Sequence, residues 1–174
     1  MKLVKSVVCV ALLVSFVLVG LSTAAVAQCV LTTEGEAGLL QMREEEKLAH
    51  DIYYFMYGMY QKPIFSNIMA SEQRHMDAVK GLLDRYLLPD PADGNGPGVF
   101  TDPDIQALYN DLFNRGSISL VEALKVGVDI ENMDISDLET LLSQTTKRDI
   151  IRVYENLLAG SESHLAAFKD QLPD

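Results

Sequence analysis

Residues 64–86, IFSNIMASEQRHMDAVKGLLDRY, carry apolar side chains at the three- and four-residue intervals that are typical of a helix. On a wheel that advances about 100° per residue, the apolar face is centred on Glu72 and has His75 at its edge. A glutamate in the middle of an apolar face is costly unless it is paired or binds a cation. We therefore predict an amphipathic helix, from about Ile64 to Leu87, that directs a carboxylate and an imidazole into a protein core.

The order Glu72-Gln73-Arg74-His75 is an E-x-x-H pair, and this spacing places both end residues on one side of a helix. We interpret Glu72 and His75 as metal ligands. The alternative is a buried pair that is satisfied by its own hydrogen bond.

Three other stretches have the same helical period. The first helix is predicted to begin at Thr33, and the fourth is predicted to run from about Thr146 to Leu172. The third is predicted to begin in a capping box at Ser119 and to kink near residues 134–136.

A linker rich in proline, glycine and aspartate, PDPADGNGPGVFT, occupies residues 89–101 between the second and third long helices. A short helix is predicted after it, capped by Asp102 with Pro103 at its first position and closed by Gly116. Four long helices with one long crossover that carries a short extra helix resemble the ferritin topology. The predicted fold class is therefore an all-α, ferritin-like four-helix bundle.

Each of the other long helices also places a polar residue on its apolar face. The apolar face of the third long helix is centred on Glu131. That of the first is centred on Glu45 and has Glu46 at its border. That of the fourth is centred near Ser161 and has His164 at one edge. Converging carboxylates would repel one another unless protons, arginines or metal ions intervened. Carboxylate oxygens combined with imidazole favour iron or manganese over zinc or copper.

This order of side chains resembles the carboxylate-bridged di-metal site of the ferritin and rubrerythrin superfamily. More specifically, four segments resemble the ferritin-like family catalogued as domain of unknown function 2202. They are MREEEKLAHDIY at 42–53, SEQRHMDAV at 71–79, ALKVGVDIENMDISDLETLL at 123–142 and VYENLLAGSESHLAAF at 153–168. The resemblance covers nearly all of the chain after its first thirty residues.

The resemblance implies metal ligands on all four helices: Glu45 or Glu46, Glu72, His75, Glu131 and His164. The wheel favours Glu45, whereas alignment with rubrerythrin-like helices favours Glu46, which Ala49 follows by three residues. The superfamily pattern also implies a glutamate at position 161, where this chain has Ser161. Either a water or Glu162 substitutes for that glutamate, or one ion binds rather than two.

The N-terminus has the features of a secretory signal peptide: Lys2 and Lys5, an apolar run over 7–21, and the A-x-A site at 25–27. A retained membrane anchor is the alternative. Cleavage is expected near Ala27, which predicts a secreted, periplasmic or cell-surface protein. The predicted organisation is a signal peptide over 1–27, a tail over 28–32 and a helical domain over 33–174.

Cleavage would remove Cys9 and leave Cys29 alone, so the mature part could form no intrachain disulfide. The chain has 14 basic and 25 acidic residues, and loss of Lys2 and Lys5 leaves a net charge of 12 − 25 = −13. This charge argues against nucleic acid or anionic lipid as a partner. The expected partners are metal ions and a small oxidant, and a homodimer is left open.

We predict a metal-dependent redox protein that uses iron or manganese and reacts with dioxygen or peroxide, or oxidises ferrous iron. It would be an oxidoreductase. The alternative is a binding or structural module that has kept the bundle and lost part of the di-metal site, an interpretation favoured by Ser161.

Overall fold

The computed structural model describes residues 30–173, in which it has five helices and no strand. They are α1 (Thr33–Tyr60), α2 (Pro63–Tyr86), α3 (Pro103–Gly116), α4 (Leu120–Gln144) and α5 (Arg148–Asp170). The prediction of an all-helical chain is therefore confirmed for this part. Among these helices, none is long and apolar enough to cross a membrane. The predicted signal peptide, its cleavage site and both cysteines lie outside the described residues.

Three of the five helices, α1, α3 and α4, begin where the local sequence supplies a side chain that accepts from free backbone N–H groups. Ser119 caps α4, and Asp102 caps α3 with Pro103 in the first turn, as predicted. Helix α1 begins at Thr33, as predicted, and its cap is Thr32, whose side chain accepts from the backbone N–H of Gly35.

Helix α4 is continuous from Leu120 to Gln144, so residues 134–136, where the kink was predicted, do not interrupt it. Aspartate and serine are weak helix formers, but neither removes a backbone donor as proline does. Asp134 and Leu138, one turn apart, are both buried in the core. Packing of this face against the other helices therefore outweighs the low intrinsic helix propensity of the segment.

The four long helices contact one another in a ring, in the order α1, α2, α5, α4 and back to α1. Two apolar clusters fill the space between them, one around Tyr53, Phe65 and Phe168 and the other around Leu83 and Tyr154. Along each long helix, the buried acidic residues and histidines other than Asp51 fall between the residues of one cluster and those of the other. The result is a polar layer with an apolar layer on either side.

The linker between α2 and α3 is held against charged residues of α1. Arg43 donates two hydrogen bonds to Asp90, of 3.0 and 3.1 Å. Glu44 accepts from the backbone N–H groups of Thr101 and Asp102. Lys47 donates to the backbone carbonyl of residue 96 at 2.9 Å. The linker thus covers the side of α1 that would otherwise face solvent, which explains why Arg43, Glu44 and Lys47 are buried despite their charge.

Candidate metal centre

Glu72, on α2, lies at the centre of the polar layer and is fully buried. One carboxylate oxygen lies 2.8 Å from Nδ1 of His75, and the other lies 2.8 Å from Nδ1 of His164 on α5. Neither contact has the geometry of a hydrogen bond, so both oxygens lack a hydrogen-bond partner. The two imidazole rings stack with centroids 5.6 Å apart. Glu72 is therefore shared between two histidines.

Two further glutamates complete two groups around Glu72. The first group consists of Glu46 of α1, Glu72 and His75, and Oε2 of Glu46 lies 3.2 Å from Nδ1 of His75. The second group consists of Glu131 of α4, Glu72 and His164, and Oε2 of Glu131 lies 3.5 Å from Nδ1 of His164. Within each group the potential ligand atoms all lie within 4.8 Å of one another. Each group could hold one metal ion, and Glu72 belongs to both.

The pKa values of these residues depend on burial and on one another. Burial raises the pKa of Glu46 well above its ordinary value, and the charges of Glu72 and Glu131 raise it further. Burial also raises the pKa of Glu131, to about 7. Burial disfavours the ionised form of Glu72 too, but the two imidazoles outweigh it and lower the pKa to about 2. In the same way Glu131 and Glu72 outweigh burial and raise the pKa of His164 to about 9.

Asp134 is a fourth carboxylate in the layer that the sequence reasoning missed. It is fully buried on α4, one turn after Glu131, and neither of its oxygens has a hydrogen-bond partner. Burial and the charges of Glu46 and Glu131 raise its pKa well above the ordinary value. The E-x-x-D spacing of Glu131 and Asp134, which matches that of the E-x-x-H pair, was the signal that could have found it.

The structure separates the two glutamates that were left open on the first helix. Glu46 lies in the group around Glu72, whereas Glu45 belongs to neither group. Glu45 accepts a hydrogen bond of 2.8 Å from Gln41. Burial raises its pKa to about 7, and the nearby Asp137 adds to the shift. The structure thus brings together five of the six candidate ligands, while their binding of metal stays a prediction.

The fourth long helix, α5, contributes the imidazole of His164 but no carboxylate at position 161. Ser161 is buried, and its hydroxyl donates to the backbone carbonyl of Leu157 on its own helix, at 3.2 Å. Glu162 is exposed, so it does not take the place of the missing glutamate here. The substituting role suggested for Glu162 therefore has no support in this geometry.

Tyr53 connects the metal-ligand candidates to the apolar core. Its ring packs against Phe65 and Phe168, and its hydroxyl donates to Oε1 of Glu131 at 2.7 Å. Burial and the charge of Glu131 keep its pKa well above the ordinary value. Tyr53 is therefore a neutral donor that fixes the orientation of Glu131, a role that its helical position alone did not reveal.

Gly160 on α5 leaves room for the imidazole of His75. A Cβ atom at this position would lie 2.6 Å from Cε1 and 2.7 Å from Nε2 of that ring. Gly160→Ala should therefore displace His75 and cost about 1–3 kcal/mol in unfolding free energy, as overpacking of a well-packed site does. Chemical denaturation and the imidazole NMR signals of His75 measure the two effects.

Gly81→Ala is the matched control, because a Cβ at that helical position meets no atom within 4 Å. It should raise the unfolding free energy by about 0.5–1 kcal/mol, the usual gain when alanine replaces glycine inside a helix. Equal stabilisation by both substitutions would show that His75 does not need the space at Gly160.

The fold and the polar layer define a class of protein: an all-helical chain whose long helices enclose carboxylate–histidine groups able to hold a metal ion. The chain belongs to the family described as Uncharacterized protein domain (DUF2202), which matches residues 35–174. The family resemblance noted from the sequence is thereby confirmed.

A relative from the archaeon Methanocaldococcus jannaschii, Uncharacterized protein MJ0754, is 49% identical over 138 residues. The match spans 79% of this chain and 75% of the relative. The solved structure described as the crystal structure of hypothetical protein MJ0754 has a TM-score of 0.81 at 48% identity and covers 82% of each chain. This chain is therefore similar to MJ0754 in sequence and in fold.

Proposed function

We propose that the protein is a ferritin-like metalloprotein that binds iron or manganese in the polar layer and carries out redox chemistry. The substrates would be dioxygen, peroxide or ferrous iron. The observation that carries the proposal is the burial of Glu46, Glu72 and Glu131 around two imidazoles. In the described part of the chain, the basic side chains within ion-pair distance of these carboxylates are His75 and His164.

The donor set fits such ions. Each group offers two carboxylates and one imidazole nitrogen, the oxygen-rich mixture that suits iron or manganese rather than zinc or copper. Unpaired buried carboxylate oxygens are costly without a cation or a proton. Oxygens of Glu46, Glu72 and Glu131 lack hydrogen-bond partners, as does Nδ1 of His164. These are the atoms that would face bound ions.

The order of the side chains along the helices supports the ferritin-like assignment. Glu46 on α1, the Glu72 and His75 pair on α2, Glu131 on α4 and His164 on α5 follow the superfamily order. The departure is on α5, where Ser161 replaces a carboxylate.

A redox metal in this layer would supply the electron transfer. Glu46, Glu72, Glu131, His75 and His164 would hold the ions. Tyr53 would keep Glu131 oriented by donating to Oε1. The apolar clusters on either side would limit the access of water.

Ferrous iron oxidation tests this proposal. Anaerobic protein loaded with ferrous iron is mixed with dioxygen or peroxide, and ferric absorption is followed by stopped flow. The protein should accelerate oxidation, and Glu72→Ala combined with His75→Ala should reduce the rate to that of iron in buffer. The exposed Glu155→Ala on α5 is the control and should retain the parent rate.

Ser161 favours a second candidate, a binding or structural module that has lost the chemistry. Under this alternative, the protein accelerates no oxidation, and the double variant folds at least as stably as the parent. Acceleration that depends on Glu72 and His75 would exclude this module.

We also propose that the protein is exported. The basic residues Lys2 and Lys5, the apolar run over 7–21 and the A-x-A site support this. The mass of protein from its native host should then correspond to a chain that begins at Gln28, and a mass that includes residues 1–27 would contradict cleavage.

A further inference from the structure

A surface groove lies beside the first turns of α3, close to one end of the polar layer. Its volume is about 470 Å³, and its lining includes Gln41 and Glu44 of α1 together with Asp102 and Asp104. The Glu44 carboxylate is occupied by two backbone N–H groups. Oδ1 of Asp102 likewise accepts from the backbone N–H groups of Asp104 and Ile105. A cation in this groove would therefore meet the Asp104 carboxylate, the second carboxylate oxygen of Asp102 and the amide of Gln41.

Gln41 connects this groove to a buried carboxylate. Its side-chain nitrogen donates to Oε1 of Glu45 at 2.8 Å, while Oε2 of Glu45 is buried and has no hydrogen-bond partner. The carboxyl group of Asp137 is close enough to Glu45 to interact with it. Glu45 is therefore hydrogen-bonded to a side chain that lines the groove, and its Oε2 is available to contact a cation.

Asp134 continues the line of carboxylates toward the polar layer. It is fully buried, and both of its oxygens are without a partner. On α4 it lies about one turn after Glu131 and one turn before Asp137, so it lies between a candidate metal ligand and the carboxyl group that interacts with Glu45. A carboxyl group that served packing alone would be expected to make a hydrogen bond, because nearly all buried polar side chains do.

We propose that Glu45 and Asp134 form a cation access route that leads from the groove at Gln41 to the buried groups around Glu72. This inference rests on the proposed metal site. The cation would be divalent, and the two carboxylates would offer it successive oxygen ligands in a path through the protein interior. Such a path lowers the cost of moving an ion out of water, because each carboxyl group can release its proton and offer an opposite charge when the cation arrives.

The rate of metal loading tests the route separately from the site itself. Cobalt(II) is added to metal-free protein under anaerobic conditions, and its visible absorption is followed by stopped flow; the final cobalt content is then measured. Glu45→Gln and Asp134→Asn keep the shape of each side chain, and circular dichroism checks that each variant is folded. Each should slow loading about 10-fold or more, the range in which fields of one sign change association rates, while leaving the final content unchanged.

Glu139→Gln removes an exposed carboxylate from α4 and controls for the loss of one negative charge. It should load at nearly the parent rate. Parent-like loading by both the Glu45 and Asp134 variants would overturn the route while leaving the metal site intact. Loss of bound cobalt at equilibrium from Asp134→Asn would also overturn it, because Asp134 would then be a ligand. A parent protein that binds no cobalt would overturn the proposed function and the route together.

Discussion

The metal-free protein should lose stability as the pH rises from about 5 to about 8, by several kcal/mol at about 1.4 kcal/mol per pKa unit. Four buried carboxyls contribute over this range: the pKa of Glu45 and of Glu131 is raised in the folded state from 4.5 to about 7, and the pKa values of Glu46 and Asp134 are raised well above their ordinary values. At a pH between the ordinary and the raised pKa values, the folded chain holds protons that the unfolded chain has released. Stability therefore falls as the pH rises through this window.

Two other side chains complete the profile. The pKa of His164 is raised from 6.5 to about 9, so its contribution is present at lower pH and is lost as the pH rises toward that value. The pKa of Glu72 is lowered to about 2. Its contribution is present above the ordinary value of 4.5 and is lost only as the pH falls toward 2, outside the window. His164 thus extends the loss of stability to higher pH.

Bound metal should reverse this trend. Metal ligands must be deprotonated, so binding releases protons and becomes stronger as the pH rises. We expect the stabilisation by manganese(II), measured as the shift in thermal midpoint, to grow between pH 5 and 8. Midpoints that follow the same curve with and without the ion would contradict this account of the polar layer.

Replacing Glu46 and Asp134 together by Gln and Asn should stabilise the metal-free protein and abolish its stabilisation by metal. Both carboxyls are fully buried, and their pKa values are raised by burial and by neighbouring carboxylates. At neutral pH each must remain protonated or be charged among like charges, and either state costs free energy relative to the unfolded chain. We expect a gain of about 1–4 kcal/mol, comparable to the replacement of other buried charged groups.

Chemical denaturation of metal-free protein at pH 7 measures this gain. Glu139→Gln, which changes an exposed side chain on the same helix as Asp134, should alter stability by no more than about 0.5 kcal/mol. A double variant that is less stable than the parent without metal would show that the two carboxyls hold the fold rather than a cation.

Helical periodicity predicted the helices and the burial of Glu72 and Glu131, because the apolar face of an amphipathic helix packs against the core and buries the residue at its centre. It favoured Glu45 on the first helix, whereas the structure places Glu46 in the group around Glu72. Neighbouring residues differ by only about 100° around a helix, and both side chains prove to be buried. The choice depends on how α1 is rotated against α2, which is a tertiary property.

The linker explains a second limit of the sequence analysis. Glu44 lies away from the apolar face of α1, where a charged residue is expected to be solvated, yet it is buried beneath Thr101 and Asp102. No periodicity reveals that a distant loop will cover a helix. Asp134 was missed for a local reason, since low helix propensity near Ser136 was interpreted as a kink.

The metal content of the purified protein, prepared without chelators or a metal-binding tag, tests the central claim most directly. We expect about two iron or manganese ions per chain, the number that paired carboxylate–histidine sites of this kind hold, and their loss from the Glu72→Ala, His75→Ala variant. A parent protein that contains no metal, even after anaerobic loading with ferrous iron, would contradict the claim.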